Sequence, residues 1–385
     1  MRHRGGRAAA AVLLVVGSTG AFLALLEGAA WLAGSEPLAR DPGYQAVVRM
    51  RDCLFGWGHE RDFCAPARVA TPRPHVVVTL GGSSVQGYPL GKVTPFAKRL
   101  ETRLEVAHPG EYAVFNRGLM CKDSTFVRRC AERLLDARPD VLVVYSGHNS
   151  YANWGFEAPR RRIFLEDHGW LYDVERQLLR SRFLSAFSRA IGAVPGDPVL
   201  GQRVPAPEAF REARKVILER VSADLSEVLD LAERAGAHVL LVTLVSNLHE
   251  HPVERHSWDD PPRSDGAWLA PYRRGIEAQR ARRFEEALAA FKEARDLNPF
   301  GRAPSELNER LRELAAGRPH VRLVDFERVL DRLGAEEGIG CNFFGQDGWC
   351  DQFHPNDRTH QLLADALFEA VEALRGEGAR AGAGS

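Results

Sequence analysis

Apolar runs alternate with amphipathic stretches along most of the chain. His75-Val-Val-Val-Thr-Leu80 is a continuous apolar run that ends at Gly81-Gly82. Such a run has the pattern of a strand covered on both faces. Four similar runs follow, at Ala113–Asn116, Val141–Tyr145, His238–Val245 and Val321–Phe326. Between and after them, helical patterns occupy about 93–107, 124–137, 207–235, 272–316 and 357–375. This alternation predicts an α/β domain over 75–375, with a mainly parallel five-stranded sheet and helices on both faces. Ligands of such sheets bind at the carboxyl ends of the strands, so chemistry is sought in the loops that follow each run.

Three segments depart from this rhythm. Arg2, Arg4 and Arg7 precede an uncharged stretch from Ala8 to Leu26, about the minimum length for a membrane-spanning helix. Basic residues before it and none directly after it place the N-terminus in the cytoplasm and the rest outside. Residues 1–34 therefore read as a membrane anchor, with a cleaved signal segment ending near Gly28-Ala29-Ala30 as the competing reading. Glu27 falls where a carboxylate reaches the headgroups. Residues 35–74 carry five prolines and read as an irregular linker. Residues 151–206 form an insertion with Trp154, Phe156, Phe164, Trp170, Tyr172 and Phe183, either a lid or a peripheral helical layer. The tail 376–385 is Gly/Ala-rich and reads as disordered.

Within 272–299, Gly275, Phe284, Ala287, Phe291, Ala294 and Pro299 have the spacing of a tetratricopeptide helix pair. One repeat cannot stack into a solenoid, so the pair is expected to dock on its own α/β domain and to offer a protein partner a small surface.

Composition narrows the function. The 385 residues balance 51 Lys and Arg against 51 Asp and Glu. That zero net charge gives no electrostatic case for nucleic acid. The six cysteines, Cys53, Cys64, Cys121, Cys130, Cys341 and Cys350, fall into three sequence-local pairs. Outside the cytoplasm an even count reads as disulfides, and proximity suggests Cys53–Cys64, Cys121–Cys130 and Cys341–Cys350. The chain contains no C-x-x-C pair, and His249, His251 and His256 lack the helical H-E-x-x-H arrangement, so neither a metal nor another cofactor is expected.

Four loops carry candidate chemistry. Ser83 follows Gly81-Gly82 at the end of the first run; the stretch is not the G-x-S-x-G elbow, because Val85 stands two residues on. Asp351 and His354 are three apart at a helix entrance. The aspartate can fix the imidazole tautomer while the other ring nitrogen takes a proton from a serine. Asn149, in Tyr145-Ser146-Gly147-His148-Asn149, offers an amide at the end of another run, and the loop Asn116-Arg117-Gly118-Leu-Met-Cys121 offers backbone N–H groups, as an oxyanion requires. His148 reads as a packing residue. Arg302 and Asn247 are weaker substrate-binding candidates.

In order and type these elements resemble the SGNH (GDSL-like) hydrolase family over roughly 75–375, in a form with an inserted tetratricopeptide-like helix pair. The resemblance implies a three-layer α/β/α, flavodoxin-like fold. It implies Ser83 as nucleophile, Asp351 and His354 as its acid–base partners, and an oxyanion hole made of Ser83, Asn149 and the loop near Cys121. The family usually has glycine where this chain has Cys121; Gly118 is the nearby alternative donor. The activity implied is ester hydrolysis through an acyl-enzyme, with deacetylation of cell-envelope carbohydrate as one form of it, so the partners expected are an acylated small molecule or carbohydrate and the membrane. An O-acyltransferase of the same family would share every residue named. A non-catalytic envelope scaffold using the helix pair is the reading from a different class.

Overall fold

The computed structural model describes residues 3–42, 44–45, 48–49, 52, 62–91, 95–152, 159–191, 207–249, 266–298, 302–336, 349–351 and 353–383. Five strands form one parallel sheet: β1 (His75–Gly81), β2 (Tyr112–Gly118), β3 (Val141–Tyr145), β4 (His238–Val242) and β5 (Val321–Val324), in the order β2-β1-β3-β4-β5. All five residues of β3 are buried. Successive strand side chains point to opposite faces, so both faces of the central strand are covered.

The helices, in chain order, are α1 (His3–Leu32), α2 (Ser83–Gln86), α3 (Phe96–Ala107), α4 (Ser124–Leu134), α5 (His148–Ala152), α6 (Pro159–Asp167), α7 (Gly169–Leu178), α8 (Arg182–Ala190), α9 (Pro207–Ala235), α10 (Leu269–Arg280), α11 (Phe284–Leu297), α12 (Ser305–Ala315), α13 (Phe326–Glu336) and α14 (Asp357–Ala383). α3 packs with α14, and α4 with α9. The chain divides into two compact units, one of residues 1–50 and 161–201, the other of 51–160 and 202–385. The insertion thus belongs largely with the N-terminal segment rather than with the sheet. Its Trp154 and Phe156 lie outside the described residues.

Order 2-1-3-4-5 is that of flavodoxin-like sheets, whose ligand crevice lies where the chain switches direction across the sheet, between β1 and β3. The register makes that edge level. Gly81 of β1 pairs with Gly118 of β2 and with Tyr145 of β3, so the loops after all three strands start at one height.

The fourth apolar run is longer than its strand. Pairing ends at Val242, while Thr243, Leu244 and Val245 stay buried. A buried backbone must find partners. Asn308 supplies them: its Oδ1 accepts from the Leu244 N–H at 2.7 Å and its Nδ2 donates to the Leu244 carbonyl at 2.8 Å.

The helix pair α10–α11 packs on the main core through Ala278, Ala287 and Phe291. A Cβ on Gly275 would come 2.8 Å from the Phe291 ring, so a glycine is required for this approach of the two helices.

The cysteine pairing differs from the sequence-local expectation. Cys64 bonds Cys130, 66 residues away, and both are fully buried. Cys121 is also disulfide-bonded, though not to Cys130, and Cys350 is free. Cys53 and Cys341 lie outside the described residues. Packing of the proline-rich segment against α4 decides the partner of Cys64, and sequence distance carries no record of that packing. Closing so long a loop stabilises by roughly 4 kcal/mol, more than a short local loop would.

The tail also differs: α14 continues to Ala383, through most of the segment expected to be disordered, where its alanines favour helix. Among the described residues no helix is long and apolar enough to cross a membrane; the side chains of 1–17, half of the expected anchor, lie outside the description.

Candidate functional site

Gly82 turns the chain out of β1 and into the single turn α2, which begins with Ser83. The turn is tight against the next strand's loop. A Cβ on Gly82 would lie 2.5 Å from Asn149 Nδ2 and 3.1 Å from the Lys122 carbonyl. Replacing Gly82 by Ala is expected to displace the Asn149 amide and to lower kcat for any reaction at Ser83 by about tenfold to a hundredfold with KM nearly unchanged. Steady-state kinetics beside Asn149→Ala check this, and an unaltered kcat would show that Asn149 plays no part in the reaction.

Asp351 and His354 arrive from the other end of the chain. The loop is closed by a bridge between Trp349 and Pro355, with the Cys350 N–H donating to the His354 carbonyl at 2.9 Å. Asn356 Oδ1 accepts from the Thr359 N–H and caps α14. These contacts set the imidazole above Ser83. Ser83 Oγ lies 2.7 Å from His354 Nε2, and His354 Nδ1 lies 2.5 Å from Asp351 Oδ2. Asp351 Oδ1 accepts two backbone N–H groups, from Phe353 at 3.0 Å and His354 at 2.9 Å.

Charge is placed as this relay needs. Burial alone would raise the Asp351 carboxyl, but the hydrogen bond and charge of His354 and the two backbone donors outweigh it and hold the group below the ordinary carboxylate range. It is therefore ionised at neutral pH. With Asp351 accepting at Nδ1–H, the Nε2 lone pair faces the serine hydroxyl, which donates to it. The Tyr88 ring meets the imidazole edge-on, with centroids 4.9 Å apart.

Asn149 is buried, and its Nδ2 donates to the Lys122 carbonyl at 2.8 Å. That bond fixes the amide plane beside Gly82. Cys121 has φ 62°, the left-handed region that glycine enters freely and other residues enter at roughly 1–2 kcal/mol. The backbone thus keeps a conformation that glycine would adopt freely, although a disulfide-bonded cysteine occupies it. Gly118 is not an alternative donor. Its N–H is taken by Asn116 Oδ1 at 2.8 Å, and a Cβ there would clash with the Gln86 N and come 2.6 Å from Val85.

Ser83 and Asn149 line a small pocket with a cavity volume of about 10 Å³. Ser146, Leu244 and Phe353 also line it, and sequence reasoning gave none of them a role. Phe353 stacks on His148, with centroids 5.4 Å apart at 16°. His148 Nε2–H donates to the Val245 carbonyl at 3.0 Å, and Nδ1 accepts from the Ala303 N–H at 3.2 Å. Both nitrogens are engaged, and burial pushes the ring down to about 3, so His148 is a neutral wall. Arg302 and Asn247 are brought to each other rather than to the pocket: both are buried, and Arg302 Nη1 donates to the Asn247 carbonyl. His251 and His256 lie outside the described residues.

No protein-family model matches the sequence, and no curated protein matches it. Solved structures similar to it include an acetyl xylan esterase, 13% identical, covering 77% of this chain and 99% of that one at a TM-score of 0.40. A GDSL-like lipase from Bacteroides thetaiotaomicron is 12% identical, with 83% and 99% covered and a TM-score of 0.41. A catalytic mutant of an acetylxylan esterase from Geobacillus stearothermophilus is 12% identical, with 78% and 94% covered and a TM-score of 0.40.

Proposed function

We propose that the chain is a serine ester hydrolase of the SGNH type, held at a membrane with its catalytic unit on the outer side. The relay Ser83–His354–Asp351 carries this reading, since its two contacts of 2.7 and 2.5 Å give a serine the base and the orienting carboxylate it needs. In the first half-reaction His354 Nε2 accepts the Ser83 proton as Oγ attacks the ester carbonyl. The oxyanion is assigned to the N–H groups of Ser83 and Cys121 and to the Asn149 amide. His354 then protonates the departing alcohol, which leaves an acyl-serine. Water attacks that ester, giving its proton to His354, and the acid departs as Ser83 recovers its hydrogen.

The outward placement is supported by Arg2, Arg4 and Arg7 ahead of the apolar stretch and by the buried Cys64–Cys130 disulfide, a bond that persists in oxidising compartments. Labelling the full chain with a fluorophosphonate probe tests the activity. An adduct on Ser83 is expected, and an unlabelled Ser83 in folded protein overturns the reading. An ester panel with and without sugar acceptors then reads whether water or a hydroxyl receives the acyl group.

Pocket size limits the acyl chain. A Cβ on Gly147 would come 2.5 Å from both Leu244 and Leu307, so these side chains pack directly on the Gly147 backbone at the pocket wall. Acetyl esters are expected to be preferred over hexanoyl esters, and Leu244→Ala to shift that preference by about tenfold toward the longer chain. Competition between 4-nitrophenyl acetate and hexanoate measures it, and an unchanged ratio would place the acyl group elsewhere.

A further inference from the structure

The unit of residues 1–50 and 161–201 has an unusual distribution of apolar side chains. Among its described residues the buried apolar side chains are Ala30, Leu38, Tyr44, Leu165, Tyr172 and Leu179. The larger apolar set faces outward. Trp170, Val174 and Leu178 recur every fourth residue along α7 and are all exposed, Trp170 by 65%. Phe187 and Ile191 continue the pattern on α8 and at its end, 53% and 59% exposed. On α1, Phe22, Leu25 and Leu32 share one side and are 60%, 73% and 79% exposed. Stripes at this spacing ordinarily face a core. An exposed set of this extent marks a surface that another phase or partner covers.

Glu27 fixes where that surface sits. Its carboxylate accepts from Ser181 Oγ at 2.6 Å, from the Arg182 N–H at 2.7 Å and from the Phe183 N–H at 3.0 Å. Three bonds thus fasten the start of α8 to α1, one residue beyond the uncharged stretch that ends at Leu26.

We propose that α7 and α8 form an interfacial platform, lying in the headgroup–acyl boundary of the same bilayer that α1 enters. The inference rests on the reading of α1 as an anchor. Continuity selects a bilayer over a second copy of the chain, because the start of α8 is tied to Glu27, directly beyond the uncharged stretch of α1. Chemistry agrees. Trp31 and Trp170, both exposed, suit the interface where indole rings collect. Arg180 and Arg189, also exposed, suit anionic headgroups. Two attachments, one spanning and one lying flat, would hold the unit in a set orientation where a single helix would let it swivel.

The test is photo-crosslinking of the full chain in vesicles of phosphatidylethanolamine and phosphatidylglycerol. A benzophenone-bearing phenylalanine is placed in turn at Trp170, Phe187, Phe22 and, as a water-exposed control in the other unit, Val106 (78% exposed). Lipid adducts are expected at Trp170, Phe187 and Phe22, with yields at least about tenfold above Val106. Protein adducts or none at Trp170 and Phe187, with lipid still captured at Phe22, overturn the platform and leave the anchor standing. No lipid adduct at Phe22 overturns the anchor and the platform with it.

Discussion

Replacing Ser83 by Ala is expected to lower kcat on 4-nitrophenyl acetate by about 10⁴- to 10⁶-fold, the size of effect seen when the nucleophile of such a relay is lost. KM should change little, because Oγ gains its large interaction only as the bond to the carbonyl carbon forms. Asp351→Asn should cost about 10⁴-fold by a different route. Its amide oxygen can still accept the Phe353 and His354 N–H groups that Asp351 Oδ1 now accepts, so the loop should keep its shape. The amide nitrogen would then face His354 Nδ1, favour the opposite tautomer and put a hydrogen on Nε2, where Ser83 needs a lone pair. The two variants are distinguished by alkaline hydroxylamine trapping: Asp351→Asn should still form a slow acyl-serine and Ser83→Ala none. If Ser83→Ala keeps more than about a tenth of the activity with an unchanged circular dichroism spectrum, the relay is not the catalytic centre.

Much of this site can be read along the chain because its parts are locally encoded. A buried apolar run ending in two glycines and Ser83 announces a strand and its carboxyl edge, and the Asp351–His354 spacing encodes a hydrogen bond within a single loop. Five strands and their parallel direction follow from runs of four to eight residues alternating with helical patterns. The order of those strands is not local. Nothing between residues 83 and 149 says that β1 lies directly beside β3, yet that adjacency brings Asn149 Nδ2 to within 2.5 Å of where a Gly82 side chain would begin. The disulfide between Cys64 and Cys130 fails to show for the same reason. Gly118 has the chain position of a donor, but Asn116, two residues earlier, occupies its N–H. The pocket walls were least visible. Leu244 continues a strand-like run after pairing has stopped, because Asn308 takes over its backbone bonds, and a periodicity cannot tell a buried loop from a buried strand.

Acid should destabilise the fold well above the pH at which carboxylates titrate. Burial lowers His148 to about 3 and His360 to about 4, from an ordinary 6.5. His360 is fully buried, and its Nδ1 accepts from the Phe96 N–H at 3.3 Å. Between those values and 6.5 the unfolded chain binds protons that the folded chain excludes, so stability falls as pH falls. It is intact above about 6.5 and declines from there. By pH 5 each histidine costs about 2 kcal/mol relative to neutral pH, about 4 kcal/mol for the two. Asp351 acts lower down: its folded carboxyl is held below the ordinary value, so its contribution is present above the unfolded carboxylate range and disappears only as pH falls through the folded value. Urea unfolding of the full chain in one detergent at pH 7, 6 and 5 measures the slope. His360→Gln leaves an amide oxygen for the Phe96 N–H and removes the titrating group, so about half of the pH dependence should go while esterase activity at pH 7 stays. A wild-type midpoint that does not move between pH 7 and 5 would show that water or a counter-charge reaches these rings, and the neutral wall assigned to His148 behind Phe353 would then have to be abandoned.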